Sequence, residues 1–194
     1  MPKKILIPAV LLVCYFFAVF PFSSYGRVAK IRDLLINRDA DHILVYAMVT
    51  DCFTGEMEAA IMAGAPTMFT FMIDLYEKRS YWFDRRLAAV AIKHTIKYDI
   101  AKKTFFVSSN GGHEPAGFQD LDSAKRAMAE LNGVAVAPVK ILKKDRSYYI
   151  RMKAKLDKIR LPMHMEYVFF FVSLWDFETD WIEKTLPVNY EKGS

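Results

Sequence analysis

Cysteine is scarce in this chain of 194 residues, and histidine is scarce as well. The two cysteines, Cys14 and Cys52, are too few for a scaffold of several disulfides or for a cysteine-rich zinc site. The four histidines include no pair at the spacing that places two imidazoles on one helix face toward a metal ion. The sequence therefore predicts neither a metal nor a cofactor.

Motifs of the common enzyme classes are also missing. Gly111-Gly112 precedes no helix at the distance of a phosphate-binding loop, and Ser108-Ser109 lacks the glycine pattern of a nucleophile elbow. One pair, His113 and Glu114, could supply a general base with an orienting acid, or could belong to a solvated polar loop. No catalytic residue is predicted, and a hydrolase that uses His113 and Glu114 ranks last among the functions considered.

The composition is that of a folded domain with little excess charge. Hydrophobic residues make up 53% of the chain, which is enough to build a core. The net charge of +5 falls to +3 when residues 1–26, which contain Lys3 and Lys4, are set aside. Such a balance requires no nucleic-acid partner. The length predicts a single domain at 27–194.

Residues 1–26 have the pattern of an export signal. Two lysines precede an uncharged run of 18 residues at 5–22, and Ser24 and Gly26 occupy the positions that signal peptidase reads. A retained membrane anchor is the alternative, because such a run is near the lower length limit for a bilayer span. In both cases we expect the domain outside the cytoplasm, in the periplasm or anchored to the inner membrane and facing the periplasm. Cys52 is expected there as a lone buried thiol.

Alternating hydrophobic residues predict a mainly β domain. Strands are expected near 28–36, 43–50, 68–78, 87–99, 104–108, 134–142, 147–157, 167–174 and 175–181. Helical spacing predicts two short helices, at 55–64 and at 120–131, the second of which would be stopped by Asn132-Gly133. We expect an antiparallel β-sandwich, with an immunoglobulin-like architecture as one form of it, in which two short helices are inserted after an N-terminal signal or anchor helix.

A basic strand face is the first candidate for an interaction surface. The stretch 140–160 is rich in lysine and arginine, and Arg151, Lys153 and Lys155 would share the outward face of its strand. This face could contact anionic lipid headgroups or an acidic partner. It could equally be a solvated face whose lysines discourage edge pairing.

An aromatic cluster is the second candidate. Tyr81 and Trp82, with Phe83 beside them, follow the third predicted strand and lie close to several arginines in the sequence. Aromatic and arginine side chains dominate binding hot spots, so the cluster could anchor a partner. It could also plug the end of the sandwich.

Three further aromatic or imidazole side chains are predicted to pack in the core. His94 lies between Ile92 and Ile96 on an apolar strand face, which favours a buried histidine with a hydrogen-bond partner. Trp175 and Trp181 are six residues apart, so both would share one strand face, which we expect to face the inside of the sandwich.

The C-terminal part of the chain carries a distinctive pattern. Lys155-Leu156-Asp157, Arg160-Leu161-Pro162 and the run from Leu174 to Trp181 resemble the signature of a bacterial family, domain of unknown function 4390. The middle of the chain agrees at Glu58-Ala59-Ala60, Gly64, Pro66, Phe71-Met72-Ile73, Tyr81-Trp82 and Asp84. The resemblance implies an exported protein of about this length with no known catalytic residues. It also implies a membrane sensor histidine kinase of the nitrogen-regulation type as a partner, because family members often lie beside such a kinase gene.

These patterns together predict a non-enzymatic protein-interaction or accessory module of the cell envelope. Its partner would be a membrane sensor histidine kinase or another envelope protein, and contact with the membrane is a further expectation. The alternative is a periplasmic carrier or sensor of an apolar ligand, because ten methionines and 15 phenylalanines could line a cavity between sheets.

Overall fold

The computed structural model of the protein describes residues 29–110, 114–157 and 178–187. The strands in these ranges are β1 Lys30–Arg38, β2 His42–Thr50, β3 Thr67–Glu77, β4 Arg85–Asp99, β5 Thr104–Ser109, β6 Ala116–Phe118, β7 Glu130–Pro138, β8 Tyr148–Leu156 and β9 Ile182–Thr185. The helices are α1 Gly55–Met62, α2 Leu121–Ala129 and a 3-10 turn at Val139–Ile141. The predicted N-terminal signal or anchor helix and the strand predicted at 167–174 lie outside the described residues.

The described strands form two antiparallel sheets. The smaller sheet has the order β1-β2-β7, and the larger has the order β6-β5-β4-β3-β8-β9. The prediction of a mainly β, antiparallel domain with two short helices is confirmed for this part of the chain. The face-to-face sandwich, immunoglobulin-like or other, stays a prediction.

Alternation of apolar residues determines which face each strand buries. In β8 every second side chain is buried, from Tyr148 through Ile150 to Leu156, as the sequence predicts. In β3 the side chains of Phe69, Phe71, Ile73 and Leu75 are fully buried. Residues from both sheets and both helices join one buried hydrophobic cluster. The core therefore depends on strands that are distant in sequence.

The opposite face of β3 is more enclosed than the sequence predicts. The alternating pattern predicts a half-buried strand, yet Thr70 and Asp74 on this face are also buried. Thr70 donates a hydrogen bond from Oγ1 to Asp157 Oδ2 at 2.7 Å. The neighbouring strand β4 also contributes a side chain on this face, since Arg86 lies 3.9 Å from Asp74.

Both α-helices begin at residues whose side chains cap them. Thr54 Oγ1 accepts a hydrogen bond from the Met57 amide at the start of α1, and Asp120 Oδ1 accepts one from the Ser123 amide at the start of α2. Gly64, with a φ of +86°, turns the chain after α1 toward β3. These caps agree with the predicted positions of the two helices.

The end of α2 differs from the prediction. α2 ends at Ala129 and β7 begins at the next residue, so Asn132 and Gly133 belong to a strand and stop no helix. The register between β2 and β7 shifts at this point, and Gly133 has a φ of +68°. An extra residue in a strand at such a shift is a β-bulge, for which glycine is suited. The predicted strand at 134–142 likewise ends early, because residues 139–141 form the 3-10 turn.

Two connections meet at one end of the larger sheet. Residues 78–84 join β3 to β4, and we call them the β3–β4 tip. Residues 139–147 join β7 to β8, and we call them the β7–β8 loop. The amide of Lys78 donates to the carbonyl of Ser147 at 2.9 Å, which holds the two connections together.

Candidate functional site

Three consecutive aromatic side chains project from the β3–β4 tip. Tyr81 is 98% exposed, Trp82 is 76% exposed and Phe83 is 87% exposed. The rings of Trp82 and Phe83 meet edge to face, with centroids 6.5 Å apart. Side chains this exposed do not plug the end of the domain, and the alternative in which they anchor a partner stays a prediction. Contiguous exposed apolar groups of this size mark interaction sites.

The backbone of the tip is held by Asp84. Its Oδ1 accepts a hydrogen bond from the Arg79 amide at 2.9 Å, and its Oδ2 accepts one from the Tyr149 hydroxyl at 3.0 Å. The ring of Tyr149 stacks on Tyr76 at 5.2 Å, almost parallel. Desolvation, followed by the bond to Asp84, raises the pKa of Tyr149 to about 12, so this hydroxyl stays a donor near neutral pH. The backbone that carries the three exposed rings is therefore held in place by these hydrogen bonds.

A buried carboxylate joins the tip to the neighbouring loop. Glu77, at the end of β3, is only 4% exposed. Its Oε2 accepts hydrogen bonds from Arg85 at 2.7 and 3.1 Å, and its Oε1 lies 3.7 Å from Arg146 Nε in the β7–β8 loop. Arginine is suited to such pairing because its guanidinium group offers several donors in one plane. One carboxylate thus fixes both connections at this end of the sheet.

Positive charge is concentrated around the exposed rings. Residues 77–86 and 140–146 together hold eight basic and three acidic residues. Two of the acids, Glu77 and Asp84, have both oxygens engaged by the groups described above. The excess of five positive charges equals the net charge of the whole chain, so the remaining residues are balanced. The basic character of the protein thus belongs to this end of the fold.

The predicted basic face of β8 looks different in the structure. Arg151, Lys153 and Lys155 point away from the core as predicted. The guanidinium carbon of Arg151, however, lies 4.2 Å from the ring centroid of Trp181. Lys153 forms an ion pair with Glu178, and Lys155 lies 3.9 Å from Asp157. These three charges have partners within the domain, which leaves the β3–β4 tip as the stronger candidate surface.

Trp181 corrects a related expectation. The sequence predicts that it faces the inside of the domain, but it lies on the outward side of β8, over Arg151 and Lys153. Cation–π stacking gives its ring a partner there without burial in the core. Trp175, the other tryptophan of that prediction, lies outside the described residues.

A second candidate site is a cleft of about 750 Å³ beside His94. Ile92, Val107 and Val134 supply apolar walls, while His94, Glu130 and Asn132 supply polar groups. His94 is buried, and its ring and that of Phe71 meet edge to face. Its Nδ1 lies 3.1 Å from the Met128 carbonyl, which can only accept, so Nδ1 carries the proton. The prediction of a buried, hydrogen-bonded histidine is confirmed.

The pH dependence of stability tests the state of His94. Burial lowers the pKa of its imidazole, although hydrogen bonds to the Met128 and Ala127 carbonyls oppose this. The unfolded chain then binds this proton more readily, so stability should fall as the pH drops below about 6.5, the unfolded value. His94→Gln should reduce this loss of stability at low pH. A single titrating group contributes at most about 1.4 kcal/mol per pH unit to it. Urea unfolding between neutral and mildly acidic pH measures it, and an unchanged slope would contradict this reading of His94.

Cys52 lies at the end of the core near α1. It is 5% exposed, and its Sγ is 3.6 Å from the Val49 carbonyl. Desolvation raises the pKa of its thiol to about 12. The prediction that this cysteine is buried is confirmed, and such a thiol has little thiolate for reaction at neutral pH.

Thiol labelling tests the burial of Cys52. In a Cys14→Ser chain, Ellman's reagent should react with the folded protein at least about a thousandfold more slowly than with the denatured protein, because the thiolate is suppressed. The absorbance of the released chromophore follows both rates. Similar rates in the two states would show that Cys52 is accessible.

Several other sequence candidates cannot be placed. Glu114 borders the cleft, but its proposed partner His113 lies outside the described residues. The run Met163-His164-Met165 has soft ligands of the kind that suit copper, although its methionines are more simply core residues, and it lies outside the described residues as well. Among the described residues, no group of three or more histidine, cysteine or acidic side chains could hold a metal ion. Within the same ranges, no helix has both the length and the apolar character needed to cross a bilayer.

The fold and the candidate surface define a β-rich domain with two antiparallel sheets and an exposed aromatic tip in a basic setting. The chain belongs to the family described as domain of unknown function (DUF4390), whose model matches residues 27–185. The resemblance seen in the sequence is therefore confirmed. No curated protein and no solved structure matches this chain.

Sequence reasoning identified Tyr81 and Trp82 but missed what holds them in place. The roles of Glu77 and Asp84 depend on Arg146 and Tyr149, more than sixty residues away. One signal was present in the sequence: an acid stands at each end of the 77–84 segment, next to a basic residue. The sequence pattern alone does not show which arginine or tyrosine contacts each acid.

Proposed function

We propose that this protein is a non-enzymatic binding module of the cell envelope, which attaches to another envelope component through the β3–β4 tip. The observation that carries the proposal is the exposure of Tyr81, Trp82 and Phe83 on a braced hairpin. Exposing three large rings to water is unfavourable, and their burial against a partner recovers this free energy. The export pattern of residues 1–26 supports a location outside the cytoplasm.

The two sheets support a sandwich as the scaffold of this module. Lys184 in β9 donates from Nζ to the Leu34 carbonyl in β1 at 2.6 Å, which links the larger sheet to the smaller. Both sheets also contribute to the same buried cluster. A membrane sensor histidine kinase is the protein partner that the family resemblance implies.

Photo-crosslinking in living cells tests the proposal. A benzophenone amino acid at position 82 should give crosslinked products with an envelope component. The same group at position 100 is the control, because Ile100 is 62% exposed. Position 100 follows the far end of β4, roughly 45–50 Å from the tip at the usual rise per residue. The same products from both positions, or none from position 82, would overturn the proposal.

A carrier or sensor of an apolar ligand is the second candidate function. The cleft beside His94 has a volume within the usual range for small-molecule sites. Native mass spectrometry of the chain purified from its own cells should then show a bound small molecule. Val134→Phe, which fills part of the cleft, should release it. A chain without added mass would rule this function out.

A further inference from the structure

The β3–β4 tip has the arrangement of residues that an anionic membrane surface recognises. Tyr81, Trp82 and Phe83 stand at its end, and basic side chains surround them on two connections. Trp and Tyr favour the headgroup level of a bilayer, where an apolar ring and a polar edge are both accommodated. Lysine and arginine beside them add attraction to negatively charged lipids.

The basic side chains near the tip are available for such contact. Lys78, Arg86, Lys143 and Lys144 are exposed, and of these four only Arg86 forms an ion pair, with Asp74 at 3.9 Å. This contrasts with β8, whose basic residues have partners in the domain. Exposed basic side chains therefore lie next to the exposed aromatic rings.

The shape of the tip favours a lipid surface over a protein groove. Three aromatic side chains bury roughly 450–750 Å² when they are fully covered. A stable protein interface needs about 800 Å² from each partner and a complementary concave surface. Insertion among headgroups needs no such groove, and a convex tip suits it.

We propose that the β3–β4 tip inserts Tyr81, Trp82 and Phe83 into the headgroup region of a membrane that contains anionic phospholipid. The basic residues of the tip and of the β7–β8 loop contact the lipid phosphates. This inference rests on the proposed function, since it names the envelope component that the tip binds.

Fluorescence quenching by brominated lipids tests the insertion directly. The full chain, in the form that expressing cells leave it, is mixed with vesicles of phosphatidylcholine and phosphatidylglycerol, brominated or not. Trp82 should be strongly quenched, and Trp82→Phe should remove that part of the quenching while it retains an aromatic ring. The difference isolates the tip whether or not residues 1–26 are still attached. Equal quenching of both proteins would overturn the inference.

Vesicle co-sedimentation tests the charge requirement. Replacing Arg79, Lys143 and Lys144 with glutamine should weaken partitioning onto anionic vesicles by about a hundredfold, since each basic group near such a surface contributes about 1 kcal/mol, which is about a fivefold factor. The matched control replaces Lys97, Lys102 and Lys103 with glutamine. These lysines lie toward the other end of β4, and their replacement removes the same charge. Equal losses in the two triple variants would overturn the inference.

The outcomes separate the two proposals. If position 82 crosslinks to a protein in cells but the chain does not bind pure lipid vesicles, the lipid inference fails and the proposed function stands. If position 82 gives no specific crosslink and the tip shows no quenching, both fail.

Discussion

Replacing Phe71 with alanine is expected to lower the free energy of unfolding by about 3–5 kcal/mol. Phe71 is fully buried at the centre of β3 and packs against the ring of His94, so its loss leaves a cavity that β4 and β8 cannot close. Urea unfolding followed by circular dichroism measures the change.

The matched control is the same substitution at Phe83, which is 87% exposed. Phe83→Ala should change stability by no more than about 0.5 kcal/mol, because an exposed ring contributes little to the core. Equal effects at the two positions would mean that the tip packs on the domain. That result would also remove the main support for the proposed function.

Replacing both Arg85 and Arg146 with glutamine is expected to cost about 2–3 kcal/mol of stability. Each arginine is about half exposed, so its own loss is mild, but together they neutralise the buried carboxylate of Glu77. Without them a charge remains in the sheet with weaker partners. Thermal unfolding and chemical denaturation both report this loss.

The control for this pair removes two arginines elsewhere, Arg32 and Arg126, both exposed. Their double replacement with glutamine should shift stability by only a few tenths of a kcal/mol, as usual for surface charges. A similar loss from both double variants would show that net charge, and not the Glu77 contact, governs the result.

The strands of this fold are predictable from the sequence because their apolar and polar residues alternate strongly. In β8, apolar and polar residues alternate without a break from Tyr148 to Leu156, and the structure buries the predicted set. The Asn132-Gly133 pair misled because the same residues that end helices also form bulges within strands. Local sequence does not distinguish these uses, since the register of β7 against β2 decides between them.

The candidate site is only partly predictable from the sequence, again because tertiary contacts decide the outcome. Aromatic residues next to arginines indicated an interaction surface, but exposure depends on how the whole hairpin projects. The basic residues of β8 gave an equally strong signal in the sequence. Trp181 and Glu178, which follow β8 by more than twenty residues, return to cover them. Such long-range pairing is set by tertiary structure, so charge patterns alone overstate the free positive surface.

The strands at the margins of the two described sheets bear on how this protein behaves at high concentration. β6 and β9 have three and four residues, and β1 and β7 each carry a register shift, with Asp33 and Gly133 at positive φ. Short or bulged margins are poor templates for another chain, so they discourage aggregation through strand addition. Self-association of this domain, where it occurs, is then expected to be reversible and mediated by side chains. Mild detergent should disperse it, whereas ordered fibrils should not form.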